Sequence, residues 1–318
     1  MTATVLLTGG CGTLGGRLAE LLVRRDDVRV VLGTRGAVAA GDGAGPAWAP
    51  VARVRRTDWS SEASLAPALD GVTHVVHLAA MNDADCAADP AAAEEVNVRH
   101  TERLLRAART AGVARLVYAS TIQVYGPALP DHLDEDAPTR PANAYAATHL
   151  RAEELVAAAG GVRLRLANGF GAPTSPDARI WQIVVNDLCR GAATRGEMRL
   201  ASSGRQYRNF VPFADVVAAL GWAALAPDAA VSEGLFHVGG DRTMTLLEMA
   251  ERIAARCEAV LGARPRLSRA EDDPRAGHAP FTYDSSRIRR AGAPLAGDVD
   301  GELDRLLRAC RAWFGAGA

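Results

Sequence analysis

The feature that most constrains the fold is a glycine-rich segment between an apolar run and a helical pattern. Val5–Thr8 has the length and composition of a buried strand, and leucine recurs at helical spacing after Gly15. Between them, Gly9 and Gly12 permit a tight turn and a close approach of the backbone to a pyrophosphate, and Gly15 lets the helix pack on the strand. The helix N-terminus adds unpaired N–H groups and a favourable dipole. The segment therefore predicts dinucleotide contacts at Gly9, Gly12, Thr13, Leu14 and Gly15.

Apolar runs alternate with helical patterns through the first half of the chain, which indicates βαβ units and an α/β fold. We expect a Rossmann-type, doubly wound parallel sheet with a smaller C-terminal substrate-binding lobe. Residues 1–167, together with about 206–240, are assigned to the nucleotide-binding domain, and residues 168–205 and 241–318 to the lobe. Further strands are predicted at 28–32, 51–54, 74–78, 116–119 and 162–166, and helices at about 61–69, 91–111, 144–159, 178–191, 246–260 and 301–313.

Composition disfavours several classes of partner. The chain has 318 residues, 36 basic against 37 acidic, and no basic run that would follow a nucleic-acid backbone. The apolar start is only a strand long and has no basic flank, so we expect neither a signal peptide nor a membrane span. We therefore expect the protein to be cytoplasmic. Five scattered cysteines without C-x-x-C spacing disfavour a disulfide framework and a metal site. The Gly-, Ala- and Pro-rich stretch 36–50 is interpreted as a flexible surface loop.

The second predicted strand bears on the choice of cofactor. NAD-selective enzymes usually place an acidic residue about 20 positions after the glycine loop to hold the adenine ribose. Here the strand runs into Gly33-Thr34-Arg35 without a carboxylate. An arginine at this edge can make charge-assisted bonds to a 2′-phosphate and stack on adenine. We therefore predict NADPH as cofactor with a contact at Arg35; NADH is the alternative, with Arg35 solvated.

Several ordered segments resemble the extended short-chain dehydrogenase/reductase family, also called the NAD-dependent epimerase/dehydratase family. The resemblance extends over nearly the whole chain, and it implies that the sheet also takes back a strand near 206–213 or 234–238. It rests on the glycine loop and on segments 57–59 (TDW), 77–80 (HLAA), 118–126 (YASTIQVYG), 166–171 (LANGFG), 208–215 (RNFVPFAD) and 236–240 (FHVGG), with Asn97 and Thr101 between them. It implies further dinucleotide contacts at Asp58, Trp59, Leu78, Ala79, Ala80, Asn97, Tyr145, His149, Leu166 and Asn168.

By the same resemblance, Thr121 occupies the catalytic Ser/Thr position, Tyr145 the catalytic tyrosine and His149 the position of a lysine. A threonine hydroxyl can donate to a substrate carbonyl oxygen, and a tyrosine can exchange a proton with that oxygen. Tyr145 and His149 are spaced i,i+4 and so share one helix face.

His149 is the departure from the family pattern, and no lysine occurs anywhere in the chain. The family's lysine carries a permanent charge that lowers the tyrosine pKa, whereas an unperturbed histidine is charged in roughly a quarter of molecules at neutral pH. Oxidation of an alcohol needs tyrosinate as base, whereas reduction of a ketone needs neutral tyrosine as acid. The substitution therefore favours reduction. The alternative is that His149 only binds the nicotinamide ribose and takes no part in proton transfer.

The predicted function is NADPH-dependent reduction of a ketone of a secondary-metabolite substrate, either a polyketide-type ketone or a nucleotide-linked keto-sugar. Arg208 matches an arginine that binds the diphosphate of nucleotide sugars in the family, although a fold-stabilising role is equally open. The alternatives are an NAD-dependent nucleotide-sugar 4-epimerase or 4,6-dehydratase, and a catalytically inactive dinucleotide sensor. The helices at 91–111 and 144–159 resemble those of the family's dimer, which implies a homodimer. Substrate contacts are predicted at Asn82, Thr121, Trp181 and Arg208.

Overall fold

A computed structural model describes residues 2–36, 52–270 and 279–315 of the chain. The strands are β1 (Ala3–Thr8), β2 (Val28–Thr34), β3 (Arg53–Arg56), β4 (His74–His77), β5 (Arg115–Thr121), β6 (His132–Leu133), β7 (Val162–Leu166), β8 (Asn168–Phe170), β9 (Glu197–Leu200), β10 (Tyr207–Pro212), β11 (Leu235–Val238), β12 (Thr243–Thr245), β13 (Arg266–Arg269) and β14 (Thr282–Tyr283). The helices are α1 (Thr13–Leu22), α2 (Glu62–Leu69), α3 (Asp83–Ala88), α4 (Pro90–Ala93), α5 (His100–Thr110), α6 (Ala144–Ala158), α7 (Val184–Arg195), α8 (Phe213–Leu225), α9 (Leu246–Leu261), α10 (Ser286–Arg290) and α11 (Val299–Phe314).

A parallel sheet of seven described strands forms the centre of the molecule, in the order β11-β7-β5-β4-β1-β2-β3. The order reverses between β1 and β4, so chain crossovers cover both faces of the sheet. This is the predicted α/β, doubly wound architecture. The returning strand is β11, whereas the other candidate segment, β10, pairs with β8 and β12 in a separate small sheet.

The central strands are apolar on both sides because both faces are buried. In β1, Val5 and Leu7 belong to the core beneath α1 and α8, whereas Leu6 belongs to the core beneath α2, α5 and α6. Alternate side chains of a strand point to opposite faces, so the uninterrupted Val-Leu-Leu run serves both cores at once.

A separate apolar core holds the C-terminal lobe together. It is built mainly from α7, α9 and α11 and includes Phe170, Met249 and Leu303. The buried Arg17–Glu302 ion pair joins α1 to α11, and Glu302 also accepts from the backbone N–H groups of Ala172 and Ala214. The first helix of the nucleotide-binding part is therefore tied directly to the last helix of the chain.

Two predicted boundaries shift. The helix predicted at 178–191 begins only at Val184, because a hydrogen bond from Ile180 N to Ala178 O and an extended Ile183 close turns just before it. The third strand lies at Arg53–Arg56 rather than 51–54, and position 51 is outside the described residues. The loop predicted at 36–50 falls outside them as well, except for Gly36.

The helix predicted at 91–111 is built from three joined segments. α4 passes into a π-helical turn at Glu94–Arg99, which continues into α5. π-turns are costly local features that occur frequently near functional sites. Here the turn carries Asn97, which lies in the interior between α4 and α6.

Candidate active site

The glycine loop joins the carboxyl end of β1 to the N-terminus of α1. Gly9 has φ +66°, and a Cβ on it would lie 3.1 Å from the backbone that follows β4. A Cβ on Gly15 would lie 2.5 Å from the Gly9 carbonyl oxygen, so a side chain there would force helix and loop apart. Gly12 is the N-cap of α1, and because it has no side chain it cannot accept a hydrogen bond from the first N–H groups of the helix. The helix N-terminus therefore keeps its N–H groups for a ligand, and the loop fits the diphosphate of a dinucleotide.

A cavity of about 690 Å³ opens over this loop at the carboxyl ends of β1, β2 and β4. Its size lies in the range of small-molecule and cofactor sites. Among the residues that the sequence singled out, it brings together Gly9, Gly12, Thr13, Arg35, Trp59, Leu78, Ala79, Ala80 and Asn82. Leu14 and Gly15 lie behind them as the first turn of α1.

An adjoining cavity of about 350 Å³ extends this groove past β2 and β3. The Trp59 ring is stacked on His100 at 5.0 Å between centroids, which forms a flat wall. Three arginines, Arg35, Arg56 and Arg103, line the cavity together with Asp58, Trp59 and His100. Sequence reasoning found Arg35, Asp58 and Trp59 but missed the others, which lack a motif and meet only through the fold.

Thr121 and Tyr145 meet at the carboxyl end of β5. Thr121 ends the strand, and its Oγ1 accepts from Gln123 N at 3.2 Å. Tyr145 lies in the first turn of α6, whose N-cap Asn143 accepts from Ala146 N. Burial raises the pKa of Tyr145 to about 12, although a hydrogen bond with Thr121 acts in the opposite direction. The tyrosine is therefore a neutral proton carrier at neutral pH.

His149 lies one turn further along α6 and is 4% exposed. Its Nδ1 is 2.7 Å from the Tyr118 hydroxyl, and its ring centroid is 4.3 Å from that of Tyr145. Within the described residues Nε2 has no hydrogen-bond partner. Burial lowers the pKa of His149 to about 4, so the imidazole is uncharged at neutral pH. An ammonium at this position would be charged; this side chain is not.

Asn97 is turned inward. Its Oδ1 accepts from Met81 N at 2.8 Å, and its Nδ2 donates to Thr148 Oγ1 at 3.0 Å. It thus joins the loop after β4 to α6, next to His149. Asn97 thus holds two walls of the groove in place, and its predicted dinucleotide contact stays a prediction.

A further cavity of about 410 Å³ is lined in part by residues that lie within two positions of Thr121 or Tyr145 in the chain. Arg208 and Asn168 line it, as do Asp83, Gln123 and Asn143, which sequence reasoning missed. Gln123 and Asn143 each lie two residues from a catalytic candidate, and that proximity was the available signal. Burial lowers the pKa of Arg208, whose Nη1 donates to Tyr207 O at 2.9 Å. Leu166, at the end of β7, is paired in register with Thr121.

Two predicted substrate contacts are engaged within the protein. Trp181 donates from Nε1 to Pro176 O at 2.8 Å and packs edge-on against Trp313 and Phe314 in the lobe. Asn82 lines the large cavity but caps α3, accepting from Asp85 N at 2.9 Å. Their predicted contacts with substrate remain predictions.

In the described ranges, no three His, Cys, Asp or Glu side chains are placed to hold a metal ion. None of the helices in those ranges combines the length and the apolar character needed to span a bilayer.

Comparison with known proteins gives a consistent family. The NAD-dependent epimerase/dehydratase family matches residues 5–239. UDP-glucose 4-epimerase of Streptomyces lividans is 33% identical over 180 residues, which cover 55% of this chain and 52% of the relative, so the match spans about half of each. The low-salt glycan biosynthesis protein Agl12 of Haloferax volcanii is 28% identical over 304 residues, covering 91% of this chain and 92% of the relative.

Solved structures agree in fold. MoeE5 in complex with UDP-glucuronic acid and NAD is 26% identical and superposes with a TM-score of 0.77, covering 98% of this chain and 99% of its own. UDP-glucose 4-epimerase of Thermus thermophilus in complex with NAD is 24% identical, with the same TM-score and coverage of 98% and 99%. The sequence motifs, the fold and the family match therefore lead to one conclusion: the chain is a member of the NAD-dependent epimerase/dehydratase family, within the extended short-chain dehydrogenases/reductases, with histidine in place of the lysine.

Proposed function

We propose that the protein transfers hydride between a nicotinamide dinucleotide and a carbon of a nucleotide-linked sugar, as a member of the epimerase and dehydratase class. The observation that carries this proposal is that Thr121 and Tyr145 meet at the carboxyl end of β5 and are followed or preceded in the chain by residues that line the Arg208 cavity, namely Ile122, Gln123 and Asn143. The groove over the glycine loop lies at the carboxyl ends of β1, β2 and β4 in the same sheet.

The cavity that Arg208 lines suits a polar, anionic ligand. Arg208 is partly buried, and burial of a guanidinium is unfavourable unless an anion compensates its charge. A diphosphate offers such compensation through bidentate hydrogen bonds. Asp83, Gln123 and Asn143 add carboxylate and amide groups that can bind sugar hydroxyls. The relatives named above include epimerases of UDP-glucose, which supports a nucleotide sugar over a polyketide as the substrate.

The residues of this chain supply the proton chemistry. When bound, a nicotinamide dinucleotide supplies the hydride acceptor or donor. Thr121 can donate a hydrogen bond to the oxygen on the reacting carbon, and Tyr145 can give a proton to that oxygen or take one from it. Because the Tyr145 pKa is raised to about 12, proton donation is available at neutral pH, whereas proton removal requires a rare tyrosinate. The oxidation step should therefore accelerate with rising pH.

The choice between NAD and NADP depends on the cavity beside the adenine end of the groove. The solved relatives are complexes with NAD, which favours NAD in an epimerase or dehydratase. Arg35 and Arg56 line that cavity and favour a 2′-phosphate. Arg35→Ala should lower the NADPH-to-NADH affinity ratio by about tenfold, as judged by fluorescence titration, if the arginine contacts that phosphate. An unchanged ratio would assign the site to NAD.

A second candidate is net reduction of a ketone by NADPH, and the uncharged His149 favours it. Without a fixed cation beside Tyr145, the neutral tyrosine is the dominant form, and this is the form that protonates a developing alkoxide. A nucleotide-linked keto-sugar would fit the Arg208 cavity. A polyketide-type ketone would leave Arg208 without an anionic partner.

The deciding experiment begins with the dinucleotide that co-purifies with the protein, identified by mass spectrometry. The protein is then incubated with UDP-glucose or dTDP-glucose, and the sugar products are separated. Formation of an epimer or a 4-keto sugar, lost in Arg208→Ala, supports the epimerase or dehydratase proposal. Inert nucleotide sugars together with NADPH oxidation by a keto-sugar support the second candidate. Binding of dinucleotide without turnover of either class would contradict both.

A further inference from the structure

A buried hydrogen-bonded pair joins the central sheet to the catalytic helix. Tyr118 on β5 is 2% exposed and His149 on α6 is 4% exposed. The Tyr118 hydroxyl and His149 Nδ1 are 2.7 Å apart, a short distance for a neutral hydrogen bond. The family motif does not require a buried tyrosine hydroxyl at position 118, and the proton chemistry of Tyr145 does not require one either.

The available protons distinguish two arrangements of this pair. Within the described residues, the Tyr118 hydroxyl bonds only to His149 Nδ1, and Nε2 has no partner. If the hydroxyl donates to Nδ1, the sole group left unpaired is the Nε2–H. If Nδ1–H donates to the hydroxyl oxygen, both the tyrosine hydrogen and the Nε2 lone pair are left unpaired. Buried polar groups without partners are destabilising, so the first arrangement is favoured.

The surroundings offer the tyrosine hydrogen no other acceptor within the described residues. His77, whose ring lies 5.7 Å from that of Tyr118, is saturated: Nδ1 bonds to Thr8 Oγ1 at 2.6 Å and Nε2 to Thr101 Oγ1 at 2.9 Å. The nearby Asn97 amide is engaged by Thr148 and Met81. Among the described residues, the Tyr118 hydroxyl can therefore donate its hydrogen bond only to His149 Nδ1.

We infer that Tyr118 is a positioning residue that holds His149 in the tautomer with its proton on Nε2. Any effect of Tyr118 on catalysis rests on the proposed function, because Tyr118 acts through His149, which occupies the position where the family has lysine. The consequence is a neutral N–H donor beside the Tyr145 ring, in the place of a charged ammonium. Burial, which lowers the pKa of His149, acts in the same direction. His149 then offers a hydrogen bond without relaying the catalytic proton.

The tautomer can be measured directly on the ligand-free protein. The chain is labelled with ¹⁵N-histidine, and the ring nitrogens are correlated with the ring carbon-bound protons at neutral pH, with His149→Gln identifying the resonances of that residue. We expect a protonated Nε2 and an unprotonated Nδ1 for His149. A proton on Nδ1, or on both nitrogens, would overturn the inference.

A pair of variants tests whether Tyr118 sets the tautomer. Tyr118→Phe should shift the ¹⁵N resonances of His149 towards those of a tautomer mixture. Tyr125→Phe is the control, because Tyr125 is a buried tyrosine whose hydroxyl bonds to a different histidine, His237 Nε2, and also to Arg165 and Asp134 O. It should alter His237 and leave His149 unchanged. Unmoved His149 resonances in Tyr118→Phe would refute the role of Tyr118.

The wild-type spectrum decides the tautomer even where Tyr118→Phe fails to fold. Neither measurement uses substrate or turnover. An inactive protein with Nε2 protonated would therefore contradict the proposed function and leave the tautomer standing, whereas an active protein with Nδ1 protonated would do the reverse.

Discussion

Two buried polar side chains on α6, one turn apart, differ in how completely they are paired. Glu153, 2% exposed, accepts from Arg165 Nε at 3.0 Å and Nη2 at 2.7 Å, and from the Ser120 hydroxyl. Arg165 continues to the Tyr125 hydroxyl. His149, nearly as deeply buried, has one nitrogen bonded and the other unpaired within the described residues. The paired cluster holds α6 on β7, whereas His149 lies beside Tyr145, one turn earlier on the same helix.

The difference separates stability from function along a single helix. A buried ion pair that loses one member leaves an uncompensated charge, so position 153 should control folding. A buried donor without a partner does not stabilise the fold, and it can bond to a ligand. Positions 145 and 149 should therefore control chemistry and binding.

The largest expected effect is on folding at position 153. Glu153→Ala should lower the free energy of unfolding by about 3–5 kcal/mol, because the buried charge of Arg165 is left without its carboxylate. Denaturant titration measures this. Arg151→Ala on the exposed side of the same helix, where Arg151 pairs with Glu94, is the control and should cost less than about 1 kcal/mol. Equal losses in both variants would remove the distinction between the two faces of α6.

At position 145 we expect a large effect on turnover and a small effect on folding. Tyr145→Phe should reduce turnover by about a hundredfold to a thousandfold, because the proton donor is lost. The free energy of unfolding should change by only about 1 kcal/mol, through loss of the hydrogen bond with Thr121. Steady-state rates and denaturant titration on the same preparation give both numbers. A variant that keeps full activity would assign proton transfer to another group.

The loss of folding stability at acid pH should depend in part on His149. Its folded pKa of about 4 lies below the ordinary histidine value of 6.5, so the unfolded chain binds the proton first as the pH falls. The folded state therefore loses stability between about pH 6.5 and pH 4, by up to about 3 kcal/mol from this group. In His149→Gln that part of the loss should disappear. His132→Gln, on the surface, is the control, since its side chain is 58% exposed.

Much of the fold follows from local patterns. The strand–glycine loop–helix unit and the alternation of β and α elements depend on short-range signals, and the sheet contains them. The returning strand is implied by the family resemblance at 206–213 or 234–238, and the structure has it at Leu235–Val238. Helix starts depend on weaker signals. The helix at Val184–Arg195 begins late because turns involving Ile180 and Trp181 compete with it, and such turns depend on contacts within the lobe.

The site could be predicted only where a motif marks it. Thr121, Tyr145 and the glycine loop carry recognisable spacing, and Thr121 and Tyr145 do meet. Tyr118 carries no signal of its role, because its partner His149 lies 31 residues away and the bond forms only when α6 packs on β5. Asp83, Arg56 and Arg103 likewise reach their cavities through tertiary packing.

The central claim is that burial keeps Tyr145 protonated, with an uncharged His149 beside it, and tyrosinate formation tests this claim most directly. The ultraviolet difference spectrum between the protein and Tyr145→Phe is recorded while the pH is raised, with and without NAD. We expect no tyrosinate signal from Tyr145 below about pH 10, since its pKa is raised to about 12. A signal with a midpoint near neutral pH would show that the site activates its tyrosine without lysine and would contradict this account.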